Sequence, residues 1–344
     1  MNTISMLTCF AYHGTNDRYD TFPDEFIRSD LRRLVALCNN KLGCKINNLY
    51  ILTDISPYLR VQNQIINEYK TIVDQYCIGK GIIDYPKYIG DKNCFEWILD
   101  VCNYISPKRG LNVIECYKEI NKKFRVCLKT SNIIEFCNCF TNITFINNKY
   151  QYMKKCKYIF LKTEGRENFY FYFTGHGTSR NGLSLVIPTG KKPCHLLNGN
   201  EIDELIEKYI SDNVKCTWIL DCCNSGEIIS FKYRLPRKVK TNIYRDYKEF
   251  KNKKMLSISS CVGDESCCFY EQYPQGSLFS KYFLDECENE FPLSFDSILT
   301  NVQININNYR KKINKNLHGK KMGNQTITIQ ATDHKFLERG IFPI

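Results

Sequence analysis

Several short runs along this chain are apolar or aromatic almost without a break, and each ends in small or polar residues. They lie at residues 4–12, 48–54, 169–174, 216–220 and 255–260. Continuous apolar runs of this length predict strands buried on both faces, as in a parallel sheet. Between them apolar residues recur at helical spacing. Leu31, Leu34, Val35, Leu37 and Cys38 fall on one face after a start at Ser29-Asp30, and Ile202, Leu205, Ile206 and Tyr209 mark a helix over 200–210. Residues 276–286 and 295–312 are further helical candidates, 183–188 a short β segment, and 325–330 a terminal or edge strand. Strand, helix and strand over 4–54 predict a β-α-β unit with parallel strands. Residues 62–76, 95–104 and 114–126 have helical character and 133–150 could form a hairpin, so 55–167 reads as a subdomain inserted into one domain spanning 1–344.

At 344 residues, 43% hydrophobic, the chain can bury a large core, which excludes wholesale disorder. No run approaches the length of a membrane span, and no secretory signal follows Met1. The 19 cysteines are odd in number and scattered. Without export they are expected to stay reduced, in the cytoplasm. Cys137-Asn-Cys139, Cys222-Cys223 and Cys267-Cys268 are spaced too tightly for the usual zinc ligand loop, so buried thiols are expected and no metal. The net charge of +12 includes a basic stretch over 231–254 that reads as an exposed linker loop. That charge alone would carry a nucleic-acid-binding role, which is not expected.

The chemistry concentrates at two strand ends. One reads Asn168-Phe-Tyr-Phe-Tyr-Phe-Thr-Gly175-His176-Gly177, the other Cys216-Thr-Trp-Ile-Leu-Asp221-Cys222-Cys223-Asn224-Ser225-Gly226. Reacting groups in open α/β sheets gather at the carboxyl ends of strands. An imidazole and a thiol placed there are the minimum set for a cysteine nucleophile and its base. Gly175 and Gly177 leave backbone free to approach a ligand closely.

The two motifs together resemble the signatures of metacaspases, relatives of caspases among cysteine peptidases. The resemblance covers 4–54 and 168–330 and departs mildly at Thr174, where the family has Ser, and at Asn224, where it has His. It implies a three-layer α/β caspase-like sandwich with a mainly parallel central sheet flanked by helices. It further implies Cys223 as nucleophile, His176 as general base and acid, and an oxyanion held by the backbone of Gly177 and Cys223. Cys222 is expected to be a packed thiol. By the same resemblance Asp30 and Asp221 bind a basic substrate side chain; for Asp30 the alternative is a plain helix N-cap. Thr174, and Ser259 with Ser260 at the end of the next strand, are further candidates to line that pocket. Cleavage is then expected after Arg or Lys.

Many metacaspases hold calcium on aspartates. The matching stretches here, 181–184, 197–200 and 229–230, contain no Asp or Glu, so neither calcium nor another cofactor is expected. The basic linker offers Arg234, Arg237, Lys238, Lys240 and Arg245 as self-cleavage positions, against a plain solvated loop. The expected enzyme is a monomeric endopeptidase acting on proteins or peptides. The competing reading is a catalytically inactive caspase-fold regulatory or scaffold protein.

Overall fold

The structure is a computed structural model. It describes residues 2–12, 19, 22, 24–54, 115, 143–180, 182–189, 193–236, 245–250, 252–263, 265–266, 277–316 and 322–343. The chain divides into two compact units, Met1–Asp54 with Ile146–Ile344, and Ile55–Phe145. Of the second unit, Glu115 is helical and β3 spans Ile143–Phe145; the helices expected over 62–76 and 95–104 lie outside the described residues, as does all but Glu115 of 114–126. The segment expected as an insertion extended to 167, but from 146 onward it belongs to the first unit.

The first unit is built on a sheet of β1 (Thr3–Cys9), β2 (Leu49–Thr53), β4 (Asn168–Thr174), β8 (Lys215–Asp221), β9 (Tyr233–Leu235), β10 (Lys254–Ser259) and β12 (Thr328–Ala331), in the spatial order β2-β1-β4-β8-β10-β12-β9. Pairings from β2 to β10 are parallel, while β12 and β9 run antiparallel to their neighbours. β5 (Gly177–Thr178), β6 (Ser184–Ile187) and β7 (His195–Asn198) form a separate small sheet, and β11 (Leu293–Ser294) pairs with β13 (Ile341–Phe342).

Helices cover both faces of the main sheet. α1 (Asp24–Asn40) packs on α5 (Leu278–Asn289), and α2 (Lys149–Leu161) on α3 (Gly199–Tyr209). The one-turn α4 (Ser225–Ile228) follows β8. α6 (Phe295–Ser297) runs through a π turn at Ile298–Val302 into α7 (Gln303–Asn316), and α8 (His334–Arg339) closes the chain. The strongest local signal is at α3, where Asn198 and Glu201 form a reciprocal capping box.

Alternation along β4 assigns the two faces. Phe169 and Phe171 meet Trp218 of β8, with Phe160 of α2 against both Phe169 and Trp218; Phe173 meets Phe10. Tyr170 and Tyr172 point the other way, to Phe342 and to Ser280 of α5.

Three expectations need correction. α1 starts at Asp24, not at Ser29-Asp30, because Ile27 extends its buried face by a turn. Asp30 therefore sits inside the helix and caps nothing. The strand expected at the sheet edge, β12, is buried throughout and lies between β10 and β9. The basic linker is not a solvated loop at its described ends: it contributes β9, stacks Phe231 edge-on against Phe250, and buries Lys253 on the Ile210 carbonyl.

Among the described residues Trp218 is the largest fully buried side chain, and it ties the sheet to α2. Trp218→Ala is expected to cost about 3–5 kcal/mol, read as a lower denaturant midpoint with an unchanged slope.

Candidate active site

In-register pairing of β4 with β8 builds the site. Thr174 pairs with Asp221, so His176 and Cys223 each lie two residues beyond the same register point on adjacent strands. Neighbouring strands are about 4.8 Å apart. Gly175 N–H donates to the Asp221 carbonyl (3.2 Å), which carries the pairing one residue past the strand end. Both His176 and Cys223 are half-buried.

The backbone of His176 is fixed from two sides. Its N–H donates to the Tyr12 hydroxyl (2.7 Å), and its carbonyl accepts from Val186 N–H (3.0 Å). Tyr12 donates in turn to the Val186 carbonyl (2.9 Å). The Tyr12 and Phe22 rings lie 4.6 and 4.4 Å from the imidazole, centroid to centroid. Tyr12 sits at φ 64°, in the left-handed region that non-glycine residues seldom occupy. Asp54 holds it there: its two carboxylate oxygens accept from the N–H groups of Ala11 (2.6 Å) and Tyr12 (2.5 Å). Sequence reasoning saw Tyr12 as a strand end and Asp54 as a strand-terminal acid. No pattern in the sequence connects them to His176.

Cys223 opens a turn that is tied to the loop after β10. Asn224 adopts φ 59°, and its amide nitrogen donates to the Gly263 carbonyl. Asn tolerates this backbone better than most residues, which gives a physical reason for Asn where the resembled motif has His. Asn224 N–H donates to the Glu265 carbonyl (3.2 Å) and Gly226 N–H to the Cys261 carbonyl (2.8 Å). A Cβ on Gly177 would collide with the carbonyl oxygen of Cys223, so only glycine lets the two loops close on each other. Cys222 is fully buried, and burial pushes its thiol well up, as does the neighbouring Cys261. It is a packed thiol. Neither Cys222 nor Cys261 is in a disulfide.

Asp30 and Asp221 come together on the opposite sheet face from Trp218. Both are fully buried. Ser277 and Ser280 donate their hydroxyls to Asp221, and Ser280 also meets Tyr172. Among the described residues neither carboxylate oxygen of Asp30 has a partner in hydrogen-bond geometry, although the Ser277 backbone lies nearby. Burial first, and then the charge of Asp221, hold the Asp30 carboxyl well above the usual range. Thr174 presents a buried hydroxyl that has no hydrogen-bond partner among the described residues, beside Asp221. Ser259 is placed elsewhere: its hydroxyl bonds the Ser225 carbonyl (3.4 Å), under the cysteine turn.

Of the proposed self-cleavage positions, Arg237, Lys238 and Lys240 lie outside the described residues. Arg234 pairs with the buried Glu227 (2.6 Å) and donates to the Gly226 carbonyl (3.2 Å). Arg245 donates to the Ile228 carbonyl (2.6 Å) and to Asn200 Oδ1 (2.9 Å), and pairs with Asp203. Burial pushes the Asp203 carboxyl up to about 6 even against the pull of Arg245.

No curated protein matches the chain. Among solved structures, a protein from Geobacter sulfurreducens is 9% identical, with a TM-score of 0.41 over 95% of this chain and 93% of that one. The structure of pro-sf-caspase-1 is also 9% identical, with a TM-score of 0.38 over 96% and 87%. The model of the caspase domain matches residues 138–334, which span β4, β8 and both strand-end motifs. With more than half its length matched, the chain belongs to the caspase-domain family of cysteine peptidases.

Proposed function

We propose that the chain is a metacaspase-like endopeptidase that cleaves after Arg or Lys, with Cys223 and His176 as its dyad and no requirement for calcium. The observation that carries the specificity is the buried Asp30–Asp221 pair, in which, among the described residues, no side chain donates a hydrogen bond to Asp30. An unpaired buried carboxylate is costly. A guanidinium or ammonium group entering beside it would relieve that cost, whereas an acidic side chain would add to it.

In the reaction, His176 takes the thiol proton of Cys223 and the thiolate attacks the carbonyl carbon. The C–N bond then breaks as His176 returns the proton to the leaving amine. Water hydrolyses the thioester and restores the thiol. The N–H groups of Gly177 and Cys223 are assigned to the oxyanion. The hydroxyl of Tyr12 keeps His176 at the strand end. For calcium independence, the support is the absence of acids in the three stretches named above, together with Arg245 lying on Asn200 and on the Ile228 carbonyl beside two of them.

Paired fluorogenic peptides ending in Arg and in Asp test the reading in wild type and Cys223→Ala. Hydrolysis after Arg is expected, insensitive to chelator and absent from the variant. Hydrolysis after Asp would sink the pocket assignment, and no turnover at all would favour an inactive scaffold.

Asp30→Asn separates function from stability. The KM for the Arg peptide should rise at least about tenfold, since truncating a buried charge partner costs roughly 2 kcal/mol or more. The variant should nevertheless be at least as stable as the wild type at neutral pH and above, because the amide has no ionised form to desolvate. The sign follows from the raised carboxyl. Folded Asp30 binds its proton more tightly than unfolded Asp30, so its stability contribution is complete below the ordinary carboxylate range and is lost as pH rises through the raised value. In wild type the KM should accordingly rise as pH falls and Asp30 protonates.

Tyr12→Phe removes the hydroxyl shared by His176 and Val186. A loss in kcat of about tenfold is expected, with the KM for the Arg peptide little changed; an unaltered kcat would remove Tyr12 from the mechanism.

A further inference from the structure

The turn that carries Cys223 is short of internal support. α4 has four residues, so its carbonyls find few partners within the helix. Its amino-terminal end is pinned by the Gly226–Cys261 bond and by Ser225, whose hydroxyl accepts from Cys261 N–H (3.2 Å). Its carboxyl-terminal end is held by two arginines of the linker, one from each side of residues 237–244. Arg234 reaches the Gly226 carbonyl and Glu227. Arg245 reaches further. Its guanidinium bridges the Ile228 carbonyl at the end of α4, Asn200 in the first turn of α3, and the buried Asp203 one turn on. The approach is so close that a Cβ on Gly199 would collide with the guanidinium and with the Ile228 carbonyl. Guanidinium suits this place because its planar fork can serve three acceptors in different directions, which an ammonium point charge does less well.

We propose that Arg245 is a positioning residue for catalysis: a linker cation, built into the chain, that locks α4 against α3 and so fixes where Cys223 stands. Arg245 and Arg234 are then structural members of the nucleophile's support and not sites of self-cleavage. Processing, where it occurs, falls on Arg237, Lys238 or Lys240 between the two anchors. The proposal rests on the peptidase reading only for its kinetic readout.

The test uses full-length Arg245→Ala and Arg245→Lys, assayed with the Arg peptide and, separately, by the rate at which iodoacetamide alkylates Cys223. In Arg245→Ala, kcat should fall roughly ten- to hundredfold, the range expected for losing charge-assisted hydrogen bonds, while KM stays within about twofold. Alkylation should slow in parallel. Guanidinium chloride, well below denaturing concentration, should restore much of both rates by occupying the vacated site. Arg245→Lys should recover only part. Wild-type kcat and alkylation in Arg245→Ala would overturn the proposal. So would a loss that guanidinium fails to restore in a variant melting like the wild type. If Arg245→Ala does not fold, full activity in Arg245→Lys would overturn it instead. Should the wild type turn over no peptide, the alkylation rates still decide the role of Arg245, and the peptidase reading fails by itself. Intact-mass analysis of wild type checks the processing claim: fragments ending at Arg234 or Arg245 would count against it.

Discussion

The register of β4 on β8 is the constraint from which the rest of the site follows. Pairing from Asn168 with Lys215 through to Thr174 with Asp221 leaves both strands ending at one level. A slip of one residue would turn every side chain to the other face. Trp218 would leave the α2 side, Asp221 would leave α5, and the two motifs would no longer end together. The register is held by what each face buries. On one side Phe169, Phe171 and Trp218 form a packed aromatic group with Phe160. On the other, Tyr172 and Asp221 converge on the hydroxyls of α5. The apolar face and the polar pocket therefore specify the same alignment.

This explains which parts were legible in the sequence. Strands buried on both faces announce themselves as unbroken apolar runs, and β1, β2, β4, β8 and β10 were all readable in that way. The paired motifs then marked the strand ends. What stayed hidden depends on contacts between distant residues. Tyr12 reaches His176 across 164 positions, and its unusual backbone is set by Asp54, 42 positions away. The beginning of α1 was misread because Ser29-Asp30 has the composition of a cap. The clue lay in Ile27, which with Leu34 and Cys38 makes Asp30 part of a buried stripe. The linker was misread because its composition is basic, yet its described arginines, Arg234 and Arg245, face buried carboxylates instead of water. Charge content alone does not distinguish these cases.

Buried carboxylates recur throughout this unit, and their partners sort them by role. Asp54 is satisfied by two backbone N–H groups and shapes a turn. Asp203 and Glu227 are matched by Arg245 and Arg234, cations supplied by the chain itself. Asp221 accepts from two serines. Ion pairs of this kind add little net stability, since desolvation offsets most of the attraction, but breaking one by removing a single partner is expensive. Their effect is to make one arrangement of the cysteine turn much better than its neighbours.

Asp30 stands apart from that pattern. It is as deeply buried as Asp221 and feels its charge, yet among the described residues no side chain donates to its oxygens, and the Ser277 backbone lies nearby. A structural carboxylate placed in the apolar stripe of α1 would be expected to gain a partner, as the others have. Leaving it without a charged or side-chain partner lowers stability. The two kinds of acid in this protein thus differ in a simple respect: those that fix the turn are neutralised from within, whereas Asp30 is met by the charge of Asp221, which is why a basic substrate side chain is the partner proposed for it.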